Sequence, residues 1–222
     1  MALPRIVKAV VFDMDGLLVD TEHVVFDAMT GAARDDGLEL PFEVFRRMVG
    51  LPGHASDRIV VEHFGEGFDI ERWRVEVSKR FEIIAEAGIA LKAGVVELLD
   101  VLDRHAVPRA IATSSTRRAV DHSLGQHGLV ERFHAIVSRE LQTHHKPHPD
   151  PFLKAAAALG IDPADCLALE DSHNGVRAAA AAGMMTIMVP DLLDPTEEMQ
   201  ALCVRIARDL HEVRELLEAQ VA

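Results

Sequence analysis

The sequence predicts an α/β protein, a parallel sheet covered on both faces by helices, with an all-helical segment inserted after the first strand. Three observations predict it. A β-rich apolar run, Ile6-Val7-Lys8-Ala9-Val10-Val11-Phe12, stops at Asp13 and reads as a largely buried strand. From about 22 to 87 the apolar spacing is helical and no strand interrupts it. After Gly94, short apolar strands alternate with helices of about 10–15 residues, a pattern that implies right-handed βαβ crossovers and a parallel sheet.

In chain order, the inserted helices run over 22–36, 41–48, 54–64 and 70–87, broken at Gly37, Pro41, Pro52-Gly53 and Gly65-Glu66-Gly67. Helix 94–105 leads into strand Val107–Ala112 and helix 116–127. Strand Ala135–Val137 precedes helix 150–159, strand Cys166–Leu169 precedes helix 173–182, and strand Met185–Val189 precedes C-terminal helices. The Ala-rich pieces Ala155–Ala158 and Ala178–Ala182 are good helix formers and small enough to pack closely on the sheet. The acidic stretch from Asp209 to Glu218 reads as a solvated amphipathic face. The division that follows is a core at 1–19 and 90–222 with a helical piece at 20–89.

Composition sets bounds on function. With 222 residues, 49% of them hydrophobic and 27% charged, the chain can bury a sizeable core. A net charge of −13 argues against a general affinity for nucleic acid or anionic membranes. Cys166 and Cys203 offer no disulfide framework, and Cys166, in an apolar run, reads as a small buried residue. No signal-peptide pattern opens the sequence and no apolar run is long enough to span a bilayer. The expectation is a cytoplasmic protein, a monomer or weak homodimer, acting on a small metabolite.

In open α/β sheets, ligands bind at the carboxyl ends of the strands. Those ends carry Asp13-Met14-Asp15-Gly16, Thr113-Ser114-Ser115, a loop through Lys146, and Glu170-Asp171-Ser172. Four carboxylates crowded at one edge repel one another unless a cation joins them. Mg²⁺ is the favoured cation, since it is held by one or two carboxylates, waters and phosphate oxygens. The bland alternative for Asp171 is an N-cap of the following helix. Asp13 ends a rigid strand that can aim its carboxylate at phosphorus. Asp15 can protonate a leaving oxygen and later deprotonate water. Lys146 offers a compact cation and Thr113 a hydroxyl for the phosphoryl oxygens.

Asp13-Met14-Asp15-Gly16-Leu17-Leu18-Val19-Asp20-Thr21-Glu22 resembles the first motif of the haloacid dehalogenase superfamily. Thr113 resembles the second, Lys146-Pro147 the third, and Glu170-Asp171-Ser172-His173-Asn174-Gly175 the fourth, in family order. The resemblance implies a Rossmann-like core with a helical cap. It implies Asp13 as nucleophile and Asp15 as acid/base. A metal would be held by the Asp13 side chain, the Asp15 backbone carbonyl and Asp171, with Glu170 joining directly or through water.

Asp15 argues against carbon–halogen cleavage, which needs no leaving-group acid, and the Lys-Thr-Gly-Thr continuation of P-type ATPases is absent. The β-phosphoglucomutase group has a His where this chain has Val25, and a cap Arg where an ungapped count places Gly53. Both departures favour hydrolysis over mutase chemistry; a catalytically silent binding protein would have no need for four crowded acids. Candidate substrate contacts are Thr21, Ser114, His23, Arg47, His54 and Arg58, the last four each with an alternative as a solvated helix residue. The turn Gly50-Leu51-Pro52-Gly53-His54 is a candidate for approach to the site. Arg117 either binds a second anionic group or starts a helix at the surface. His144, His145 and His148 surround Lys146 without the regular geometry that a transition-metal site requires.

Overall fold

The computed structural model describes residues 3–51 and 53–221; Pro52, at the centre of the 50–54 turn, lies outside them. The chain divides into two compact units, Met1–Val19 with Leu91–Ala222, and Asp20–Ala90.

The first unit begins with β1 (Ala9–Phe12), completely buried. The apolar run begins earlier, but Ile6 is 71% exposed and the strand is correspondingly shorter than its sequence suggests. The second unit is all helical: α1 (Thr21–Asp35), α2 (Phe42–Arg46), α3 (Gly53–Phe64) and α4 (Ile70–Ala87). Asp69 caps α4 by accepting from Arg72 N, as an Asp before a helix is expected to do. Phe64 and Phe68 both meet Trp73 edge-on and form an aromatic cluster that joins α3 to α4. Gly53 and His54 belong to the first turn of α3, so this end of the expected turn is already helix.

The first unit resumes with α5 (Val95–Arg104), β2 (Arg109–Ala112), α6 (Arg117–Gly125), β3 (Ala135–Val137), α7 (Asp150–Leu159), β4 (Cys166–Glu170), α8 (His173–Ala181) and β5 (Met185–Met188). It closes with α9 (Glu197–Leu202), β6 (Arg205–Ile206) and α10 (Leu210–Val221). All strand pairs are parallel and the order is β3-β2-β1-β4-β5-β6. This is the expected Rossmann-like α/β fold. The two-residue β6 has no sequence signature; it pairs Arg205 with Ile187 and Ile206 with Met188.

One face of the sheet shows why Ala-rich helices were needed. Ala9, Val11, Ala110, Ala112 and Ala168 meet Ala155, Ala156, Ala178 and Ala179 in one buried cluster, filled by Phe152 and Cys166. Small residues on both sides let α7 and α8 sit close to the strands, and truncating the large Phe152 to Ala would cost about 3–5 kcal/mol. Amphipathic α5 buries Val95, Leu98, Leu99 and Leu102. The α10 helix buries Leu210, Val213 and Leu217. Its acidic face is not wholly solvated: Glu212 accepts from Arg205 and Arg208, and the Arg208 backbone N–H first among these donors holds it down at about 2.

β1 sits between β2 and β4, so the strand order reverses direction there. That is the topological switch point, where ligands bind in such sheets.

Candidate active site

The switch point places Asp13 beside Glu170 and Asp171. Asp13 follows β1, and its N–H donates to Leu169 O of β4 at 3.0 Å. One carboxylate oxygen from each of Asp13, Glu170 and Asp171 lies within 4.8 Å of the others, and all three residues are buried. Among the described residues this is the only His, Cys, Asp or Glu group so placed. Its donors are all hard carboxylate oxygens, which fits a hard divalent cation. These residues can hold a metal ion.

Two glycines make room for the cluster. Gly16 has φ +78°, and a Cβ there would lie 2.4 Å from Asp171 Oδ2. A Cβ on Gly175 would fall 1.8 Å from Glu170 Oε1. Larger residues at either position would displace a carboxylate.

Glu170 is anchored on both oxygens. Oε2 accepts from Asp171 N, Ser172 N and Ser172 Oγ at 3.0–3.2 Å, and Oε1 from Lys146 Nζ at 2.5 Å. Ser172 Oγ also accepts from Gly175 N. Ser172 is therefore the N-cap of α8, which leaves Asp171 without the capping role that sequence alone allowed it.

Lys146, a loop residue, has a side chain only 7% exposed. Its Nζ lies 2.5 Å from Asp13 Oδ1 as well as from Glu170, and 5.0 Å from the Phe152 ring centroid. Burial works against its charge, but the two carboxylates outweigh burial and hold the ammonium's pKa above its ordinary value. Asp13 moves the other way. Burial, reinforced by Glu170 and Asp15, pushes its carboxyl up to about 8 despite the opposing pull of Lys146.

Without metal, then, the folded protein keeps a proton on Asp13 that the unfolded chain, with an ordinary Asp near about 3.9, has released. The folded state binds the extra proton between those two values, so its stability falls as pH rises through them toward about 8. In chelator, the thermal midpoint of the wild type should decline relative to Asp13→Asn over this range. Parallel midpoint curves for the two proteins would contradict the shift.

Asp15 is oriented by two hydroxyls. Ser115 Oγ donates to its Oδ2 at 2.7 Å and Thr113 Oγ1 at 3.2 Å, while Ser115 N donates to Thr113 Oγ1. Thr113 is fully buried, and its backbone carbonyl accepts from Gln142 Nε2 at 2.6 Å. Thr113 thus faces Asp15 in this arrangement, and Ser115 and Gln142 join a site in which sequence reasoning gave them no role. Ser115 belongs to the strand end Thr113-Ser114-Ser115, whereas Gln142 carries no sequence signal.

The remaining candidates have plainer surroundings. Ser114 is exposed. Arg117 starts α6, more than half exposed, with Nε on Asp121 Oδ1 at 2.8 Å. In the helical unit, Thr21 is buried and its hydroxyl has no hydrogen-bond partner among the described residues. His54 and Arg58 are exposed, His23 pairs with Asp20, and Arg47 with Glu62. His144 and His148 stack with centroids 4.4 Å apart at the surface.

A parallel sheet that gathers buried acids and a lysine at its switch point has the arrangement of an α/β enzyme, and the phosphatases among the relatives below place it with the phosphoric monoester hydrolases. The chain belongs to the haloacid dehalogenase-like hydrolases, whose family model matches residues 10–189. It is 38% identical over 193 residues to the probable pseudouridine-5'-phosphatase of Drosophila melanogaster, covering 84% of this chain and 83% of that one. Hexitol phosphatase B of Escherichia coli K12 is 34% identical over 200 residues, covering 86% of each. A haloacid dehalogenase family hydrolase from Deinococcus radiodurans, solved with bound phosphate and sodium, aligns with a TM-score of 0.84 at 26% identity, over 97% of this chain and 96% of that chain. Among the described residues no helix is long and apolar enough to cross a membrane.

Proposed function

We propose that the protein is a Mg²⁺-dependent phosphatase that hydrolyses small phosphate monoesters through an aspartyl phosphate on Asp13. The observation that carries this reading is the placement of Asp13. Its buried carboxylate ends the central strand with Lys146 on one oxygen, and the hydroxyl-bound Asp15 follows two residues later.

In the first step Asp13 attacks phosphorus, the bond to the leaving oxygen breaks, and Asp15 gives that oxygen its proton. In the second step Asp15 takes a proton from water as the water oxygen attacks phosphorus. Inorganic phosphate leaves and Asp13 is regenerated. Lys146 offsets the phosphoryl charge, and the Ser115 and Thr113 hydroxyls keep Asp15 pointed at the transferred proton. Mg²⁺, when bound, would be held by Asp13, the Asp15 backbone carbonyl and Asp171, and supplies screening between the carboxylate and phosphate charges. Both Glu170 oxygens are already engaged, which favours a role for Glu170 through water and as the anchor of Lys146.

The substrate class is a sugar phosphate or a related ribosyl phosphate. Similarity to a hexitol phosphatase and to a pseudouridine-5'-phosphatase supports it. Ser114, Arg117, Thr21 and His54 are the proposed contacts to the rest of the substrate, with the helical unit as the cap.

A mutase must protect its phosphoenzyme from water and grip a second phosphate. Val25 and Gly53 supply neither function. With Mg²⁺, hexose 6-phosphates, hexitol phosphates and pseudouridine 5'-phosphate should therefore yield inorganic phosphate with no bisphosphate activator. β-Glucose 1-phosphate with a trace of the 1,6-bisphosphate is the critical comparison. Glucose 6-phosphate accumulating faster than free phosphate would replace the hydrolase by a mutase, and no turnover of any ester would leave a binding protein.

A further inference from the structure

One buried acid beside the carboxylate cluster has no role in the reaction above. Asp191 lies three residues beyond β5, at the same sheet edge as Glu170 and Asp171. Its side chain is only 9% exposed, and Lys92 Nζ holds Oδ1 at 2.8 Å. Its other oxygen, Oδ2, is buried without a hydrogen-bond partner among the described residues. That oxygen points toward the space left by the missing side chain of Gly16. A Cβ there would lie 3.5 Å from Asp191 Oδ2 and 2.4 Å from Asp171 Oδ2. Two acids from different strand ends therefore converge on one small gap, and only one of them belongs to the described cluster.

A buried carboxylate oxygen needs a donor. Among the described residues none is present, and a second carboxylate nearby makes an added cation or a polarised water the natural partner. We propose that Asp191 is an additional carboxylate of the metal centre, acting from its outer shell. Oδ2 accepts a hydrogen bond from a water bound to the cation that Asp13 and Asp171 hold, and Lys92 fixes Oδ1 so that Oδ2 stays aimed at the gap. This inference rests on the metal reading above. Such outer-shell partners orient ligands and water, and losing one weakens metal affinity about 10–100-fold.

Substituting asparagine is informative because Lys92 can only donate. In Asp191→Asn the amide oxygen must turn to Lys92, so the amide NH₂ points into the gap, a donor where an acceptor is required. Mg²⁺ titrated calorimetrically into metal-stripped protein should bind Asp191→Asn about 10–100-fold more weakly than wild type. Lys92→Met, which removes the clamp but keeps the acceptor, should lose less. Thermal midpoints in chelator report folding separately. A dissociation constant for Asp191→Asn within about twofold of a wild type that does bind Mg²⁺ would overturn this role and leave the metal reading standing. So would equal losses of affinity in both variants accompanied by equal falls in midpoint, which mark a merely structural ion pair. A wild type that binds no Mg²⁺ would overturn both.

Discussion

Asp13→Asn should lose about four orders of magnitude or more in turnover, because the nucleophile is removed and the remaining groups can only bind and polarise the ester. The amide has nearly the shape of the carboxylate, so the β1–β4 junction, where Asp13 N bonds Leu169 O, should be undisturbed. Lys146 keeps Glu170 as its counter-charge at 2.5 Å, so the cation does not become an unpaired buried charge. The fold should therefore survive, and far-ultraviolet circular dichroism with a cooperative melt checks that it does. Rapid acid quenching of the wild type during turnover, followed by peptide mapping, should find the phosphoryl group on Asp13. A labelled phosphate on any other side chain, or an Asp13→Asn protein retaining even a hundredth of wild-type turnover, would remove the covalent mechanism.

Asp15→Asn should lose about 10²–10⁴-fold on alkyl phosphates, the usual scale for a general acid/base. The dependence on the leaving group is more diagnostic than the size. A phenolate that departs without protonation does not need Asp15 in the first step, yet the second step still needs a base for water. With p-nitrophenyl phosphate the variant should release a burst of about one phenolate per active site and then stall as the phosphoenzyme. With a sugar phosphate no burst should appear. Ser115→Ala removes the shorter of the two hydroxyl contacts to Asp15 and should show the same pattern in weaker form. Equal loss on both substrates, with no burst, would mean that Asp15 serves only to shape the loop.

Much of this was legible in the sequence, for an identifiable reason. Helices declare themselves through a period of 3.6 residues and these buried strands through short continuous apolar runs. Buried parallel strands need apolar runs on both faces, so Val10-Val11-Phe12 and Leu167-Ala168-Leu169 could hardly be anything else. Parallel topology then aligns the strand ends by geometry alone, which is why Asp13, Thr113, Glu170 and Asp171 could be gathered before any coordinates.

What tertiary structure alone decided is which atoms meet across long stretches of chain. Ser115 reaches Asp15 across 100 residues, Lys92 reaches Asp191 across 99, and Lys146 reaches Asp13 across 133. No local pattern encodes such pairings, because they join loops that lie about a hundred residues apart in the chain. The same holds for β6, whose two residues pair only because β5 is already there. The sequence by itself determined the acids, the lysine and the strand ends that carry them. The fold decided the protonation of two of them: burial and the proximity of Glu170 raise Asp13, and those two carboxylates hold the charge on Lys146. Desolvation and charge–charge energies depend on ångström distances that a one-dimensional pattern cannot contain.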